Sequence, residues 1–120
     1  MKKSIVAVLL AISFVAISVN SVLAFACVGK PHVSISLQSG TVSANIGYGT
    51  WYLCSLNSTE AGITPQACEK IYNGLLLAES LNNKSAIYFP GGAGSCETIG
   101  SWKYPDVSHY FIDFLVGPAN

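Results

Sequence analysis

Four cysteines, two histidines and a glycine-flanked serine are the side chains of this 120-residue chain whose types could do covalent or metal chemistry. Cys27, Cys54, Cys68 and Cys96 are separated by 27, 14 and 28 residues, so there is no CxxC pair, and neither His32 nor His109 stands at ligand spacing. Zinc sites need such clustered ligands. An even set of cysteines in a short exported chain reads instead as two disulfides, with three connectivities open. No metal and no cofactor is expected. His32, His109, Asp106, Asp113 and the serines could supply a triad, yet the sequence holds no GxSxG elbow and no motif framing a pair of carboxylates. Gly94-Ser95-Cys96 would place a nucleophile in a glycine-rich turn. A strand connection that needs glycine for positive φ, with Cys96 oxidised, accounts for the same residues. Gly91-Gly92-Ala93-Gly94 opens no helix, which argues against a phosphate loop. The chain is therefore expected not to be an enzyme.

Composition says where such a chain works. The net charge is zero, 51% of residues are hydrophobic and only 10% are charged. The apolar surplus sits at the front, where Ile5 to Ala26 holds 18 apolar residues in 22, broken by Ser13, Ser18, Asn20 and Ser21. Met1, Lys2 and Lys3 make a positive n-region, Ile5 to Ile17 an apolar h-region, and Ala24-Phe25-Ala26 offers small residues at both positions that a signal peptidase inspects. Residues 1–26 thus read as a secretory signal peptide and 27–120 as a single domain. A membrane anchor is the competing reading, since an apolar run of about 20 residues could just span a bilayer. A lipoprotein signal is another, because Cys27 follows Ala26 directly, although Phe25 is bulky for such a site. Without residues 1–26 there remain 94 residues, 42 of them apolar, with a net charge of −2 and no membrane span. There is no arginine, and Lys30, Lys70, Lys84 and Lys103 are scattered singly. Phosphate neutralisation needs clustered cations, so nucleic acid is not an expected partner. A secreted or periplasmic location is expected, and the lysine-led signal favours a bacterium. Asn57-Ser58-Thr59 and Asn83-Lys84-Ser85 would be glycosylation sequons only in a eukaryote.

The elements that must position these residues follow from periodicity. Val33, Ile35 and Leu37 alternate with Ser34, Ser36 and Gln38, which predicts a half-buried strand ending at Ser39-Gly40. Val42, Ala44 and Ile46 continue into a second strand, and Thr50 to Leu56 is β-prone enough for a third. Thr64-Pro65 suits an N-cap followed by proline at the first helical position. A helix over Pro65 to Leu81 is expected, with Ala67, Ile71, Leu75, Ala78 and Leu81 facing inward and Asn82-Asn83 closing it. Ser85 to Phe89 and His109 to Val116 make the fourth and fifth strands. The class is mainly β with one helix, and the order β-β-β-α-β-β matches a five-stranded OB-fold barrel. A ferredoxin-like sandwich would need a second helix. In an OB-fold the first and fourth strands pair antiparallel, which brings Cys27 toward Cys96, and Cys54 at a strand end faces Cys68 in the helix's first turn. The pairing Cys27 with Cys96 and Cys54 with Cys68 is therefore expected.

Several short motifs carry a family likeness. Trp51-Tyr52-Leu53-Cys54, Cys68 fourteen residues on, Ile71-Tyr72-Asn73, Ile87-Tyr88-Phe89 and Trp102-Lys103-Tyr104-Pro105 resemble the B subunits of subtilase-type and typhoid-type AB5 toxins. The resemblance spans Trp51 to Pro105. It implies an OB-fold subunit of a homo-oligomeric, pentameric ring that binds sialylated cell-surface glycans and delivers a separate enzymatic chain. The family's sugar-contacting tyrosine falls on Phe89, which keeps the stacking face and lacks the hydroxyl. Its serine aligns near Lys30, with Ser34 and Ser36 close by but out of register. Ser34, Ser36, Tyr88 and Phe89 are thus the glycan-binding candidates. The aromatics Trp51, Tyr52, Tyr88, Phe89, Trp102 and Tyr104 could form a sugar-stacking or protein-binding surface, though most are expected in the core or an interface. Alternation puts Trp51 and Leu53 on one face of their strand, Tyr52 and Cys54 on the other. The expected function is non-enzymatic binding of a cell-surface glycan or protein; the alternative is a monomeric periplasmic or surface-attached accessory protein, a lipoprotein or inhibitor, with no toxin partner.

Overall fold

The computed structural model describes residues 24–90, 94–106 and 110–119. In chain order the elements are β1 (Phe25–Gly29), β2 (His32–Ile35), β3 (Thr41–Asn45), β4 (Thr50–Ser55), α1 (Pro65–Ser80), β5 (Asn83–Phe89), a 3-10 turn (Cys96–Thr98) and β6 (Phe111–Pro118). They form two antiparallel three-stranded sheets, ordered β1-β5-β6 and β2-β3-β4. The class is mainly β with one helix, as the periodicity predicts. The expected single five-stranded barrel is not what the hydrogen bonds draw: there are two sheets and neither closes on itself among the described residues. The physical reason lies in the corner between β1 and β2. Pro31 is fully buried there and has no N–H to continue a ladder, so pairing to β5 stops at Gly29 and pairing to β3 starts at His32. Gly29 is required at this corner, because a side-chain carbon would run into the Ile46 carbonyl oxygen.

The sequence reading did not find β1. Its first two residues, Phe25 and Ala26, belong to the apolar run assigned to the signal, and only pairing with β5 reveals them as strand. His109, expected to start the last strand, and Gly91 to Ala93 of the glycine loop lie outside the described residues. The helix begins as expected, since the Thr64 hydroxyl accepts from Ala67 N–H at 3.2 Å and Pro65 follows it. Its end is also as read, with Asn82 in left-handed geometry at φ +54°. The middle of the inward stripe is as expected, with Leu75 and Ala78 buried and Ile71 half-buried against the core, but its ends are not: Ala67 and Leu81 are exposed, and Cys68 is buried in place of Ala67. The Cys54–Cys68 disulfide explains the first of these, because it ties the first helical turn to β4 through Cys68.

The two sheets share one core. Trp51 from β4 and Phe89 from β5 meet edge-on at 5.5 Å and 79°, joined by Leu53, Leu75 and Ile87, all essentially inaccessible. The Trp51 indole Nε1 is buried without a hydrogen-bond partner among the described residues. An unmet donor of this kind costs about 1–3 kcal/mol, which the burial of so large a ring must outweigh. Tyr110 adds a second tie, donating its hydroxyl to the Leu53 carbonyl at 2.6 Å, and burial pushes that hydroxyl's pKa up.

Helix and sheet are also joined through Glu79. One carboxylate oxygen accepts from Val33 N–H at 2.9 Å and the other lies 2.8 Å from His32 Nδ1. The Val33 N–H holds this carboxyl below its ordinary value of 4.5, partial burial opposes that, and His32 adds to the lowering. A carboxyl lowered in the folded state stabilises fully above its unfolded value and loses that contribution as pH falls through the folded one. Denaturation midpoints are therefore expected to decline below about pH 4.5, and Glu79→Gln should flatten that acid limb while changing the midpoint slope little above pH 6. Urea titrations of both proteins across pH 3 to 7 check it; parallel acid limbs would refute it.

Candidate functional site

The outer face of β2-β3-β4 carries a hollow whose chemistry is set by strand register. Ser34 on β2 stands opposite Ser43 on β3, and Ser43 stands opposite Tyr52 on β4, so alternation lines the three side chains across the sheet. The row behind them, Val33, Ala44 and Trp51, faces the core. A register shift between Val42 and Ser43 skips Leu53 on β4. Leu53 and Cys54 are in consequence both buried, where strict alternation would have put Cys54 outside with Tyr52.

Around this row lie Ile35, Ser36, Ser39, Thr41 and Trp102, enclosing about 460 Å³. The hydroxyls are positioned by one another. Ser39 and Thr41 hydroxyls are 2.8 Å apart, Ser34 and Ser43 hydroxyls 3.4 Å, and the Ser36 hydroxyl accepts from Ser39 N–H at 3.2 Å. Ser55 fixes the turn from beneath, donating its hydroxyl to the Ser39 carbonyl at 3.2 Å. Among the described residues, no lysine, carboxylate or histidine lines the hollow. Its polar groups are neutral donors and acceptors only.

The aromatic wall comes from the far end of the chain. Residues 102–104 run beside β4: Trp102 N–H donates to the Thr50 carbonyl at 2.6 Å, and Tyr52 N–H donates to the Lys103 carbonyl at 2.9 Å. This backbone pairing sets Trp102 and Tyr104 on either side of Tyr52, at ring separations of 6.4 Å and 5.7 Å, both edge-on. Trp102 adopts φ +59°, a conformation that costs a residue other than glycine about 1–3 kcal/mol. The result is an indole that remains 66% exposed at the rim. Burial pushes the Tyr104 hydroxyl up, with Glu60 adding to the shift and the Thr41 hydroxyl working against it, so the phenol stays neutral at physiological pH.

Ser34 and Ser36 both line this hollow. Tyr88 and Phe89 do not join them, since both sit on β5 in the other sheet. Tyr88 faces outward at 44% exposure, whereas Phe89 is 1% exposed among Trp51, Phe25 and Tyr110. Phe89 is a core residue, because the parity of β5 turns it inward, and its ring face is not available for stacking. Ser39, Thr41 and Ser43 were not singled out by sequence, where they are ordinary turn and strand residues. The alternation that put Tyr52 outside was the usable signal for that residue.

A second hollow of about 430 Å³ lies between the end of β4 and the start of α1, lined by Leu56, Pro65, Gln66, Glu69, Tyr72 and Asn73. Among the described residues its lining holds one tyrosine and one carboxylate, Glu69. The described residues considered for a triad do not converge. His32 is bound to Glu79, Asp106 accepts from Lys103 at 3.2 Å, and Cys96 is in a disulfide with Cys27. His109 lies outside the described residues. No helix among the described residues is long and apolar enough to cross a membrane. No family model, curated protein or solved structure matches the chain.

Proposed function

We propose that this chain is an exported binding protein, not an enzyme, and that it holds a cell-surface glycan in the hollow on β2-β3-β4. The observation that carries the reading is the pairing of a charge-free hydroxyl floor with the exposed Trp102 face beside Tyr52. A pyranose has the complementary make-up: a C–H face that packs on an aromatic ring and an edge of hydroxyls that exchange hydrogen bonds with Ser and Thr. Because the described lining holds no cation, a neutral sugar fits it better than the carboxylate of a sialylated one. The hollow's volume falls in the range of small-ligand sites, roughly 300–1,000 Å³, which admits a mono- or disaccharide.

An OB-type arrangement is part of this reading. β1 and β2 are then the two halves of one strand bent at Gly29 to Pro31, pairing with β5 on one side and β3 on the other. The parallel bridge between Trp51 and Lys103, together with the Tyr110 bond to Leu53, supplies contacts across the remaining seam. Self-association belongs to it as well. Val28, Tyr88, Leu115 and Val116 expose 38–47% of their surface on β1-β5-β6, a large apolar presence for one small domain. The test is a glycan array probed with the disulfide-bonded protein, followed by calorimetric titration of the best neutral and sialylated hits, with light scattering for mass. Saturable binding of a neutral glycan is the expected result; no glycan binding at any density would overturn the function, and a strict monomer would overturn the ring.

A further inference from the structure

We infer that the export leader ends at Ala24 and that the mature chain begins at Phe25, two residues earlier than the Ala24-Phe25-Ala26 pattern suggests. The inference rests on the reading of the N-terminal segment as an export signal, and its test separates the two. Hydrolysis adds one water across the Ala24–Phe25 amide: the Ala24 carbonyl carbon takes the oxygen and leaves as a carboxylate, and the Phe25 nitrogen becomes the new α-ammonium.

What the fold needs decides between the two bonds. Phe25 is the first residue of β1, in register with Phe89, and its ring packs 5.4 Å from the Phe89 ring against the shared core. Ala26 pairs with Tyr88 on the same strand. Cutting after Ala26 would delete that ring and two of the five residues of β1. It would also make Cys27, bonded to Cys96, the first residue of the chain. Cutting after Ala24 leaves β1 whole, and Ala24 itself is exposed and precedes the strand. Local sequence permits it, since Val22 and Ala24 then occupy the two inspected positions with Leu23 between them. The disulfide also removes Cys27 as a lipid acceptor, because a diacylglyceryl thioether and the bond to Cys96 need the same sulfur.

The full chain, expressed with its own leader in a bacterial host and recovered from the exported fraction, is to be sequenced from its N-terminus and weighed intact without reductant. The expected protein starts Phe25-Ala26-Cys27 and has the unlipidated mass with both disulfides formed. A chain starting at Cys27, or one carrying a lipid, would overturn the inference while leaving export intact. A chain that keeps Met1 would overturn the export reading and the cleavage site together. Ala26→Gln gives the second arm: its side chain faces solvent on β1, and glutamine is not accepted in the position just before a cut. Processing of this variant at the same bond and to the same extent is expected, and its loss would place the natural cut after Ala26.

Discussion

Trp102→Ala is expected to weaken glycan binding by about tenfold to a hundredfold, the effect of removing the aromatic face on which the sugar would stack. The indole projects from the rim at 66% exposure and touches little besides Tyr52, so the substitution removes ligand contact far more than it removes packing. Trp102→Gly sharpens the test. Glycine adopts φ +59° without strain, so this variant should lose binding as fully as the alanine form yet melt no lower than the native protein. A tryptophan held in a conformation that glycine would relieve is what a functional residue looks like when stability is given up for placement. Calorimetric titration and thermal melts of the two variants decide the matter. Unchanged affinity in both would remove Trp102 from the site and with it the argument for this hollow.

Replacing Cys27 and Cys96 together by alanine should cost about 4 kcal/mol, against about 3 kcal/mol for the Cys54 and Cys68 pair, on the loop-entropy model. The difference follows from sequence separations of 69 and 14 residues. Either loss is a large part of the 5–15 kcal/mol of stability common in domains. The two variants should also differ in function. Cys96 opens the segment that leads to Trp102, and the Cys27 bond ties that segment to β1. Removing it frees the path to the aromatic wall. Removing Cys54–Cys68 releases the loop before α1 and the helix's first turn, whose residues do not line the hollow. Urea titrations without reductant should rank the stabilities in that order. Glycan titration at a temperature where both variants remain folded should show weaker binding only in the Cys27/Cys96 variant. Equal binding in both would mean that the hydrogen bonds of residues 102 and 103 to β4 suffice to hold the wall.

Much of this was legible in the sequence because it was written in local chemistry. Thr64-Pro65 suits a helix start and Asn82 its stop, and the alternation placed Val33, Val42, Ala44 and Ile46 toward the core, whereas Leu37, read as inward, is 96% exposed because β2 ends at Ile35. The even cysteine count led to the disulfides, and the pairing came from supposing that the first and fourth strands are neighbours. The strand read first, at Val33, pairs with β3 instead; it is β1, not read from sequence, that pairs with β5 and carries Cys27 to the strand that precedes Cys96. Phe89 shows the limit of such reading. A motif put it at a sugar site, but the parity of β5 buries it against Trp51.

What the chain determined by itself was type: strands, one helix, disulfides and a low content of charge, each a property of neighbouring residues or of overall composition. Only the tertiary structure decided place. Periodicity carries no information about which strand lies beside which, and a pairing between residues 50 and 102, or 25 and 89, leaves no mark on the residues near either. Those two long-range pairings set the aromatic wall over the serine floor and made strand of residues that composition alone had joined to the leader.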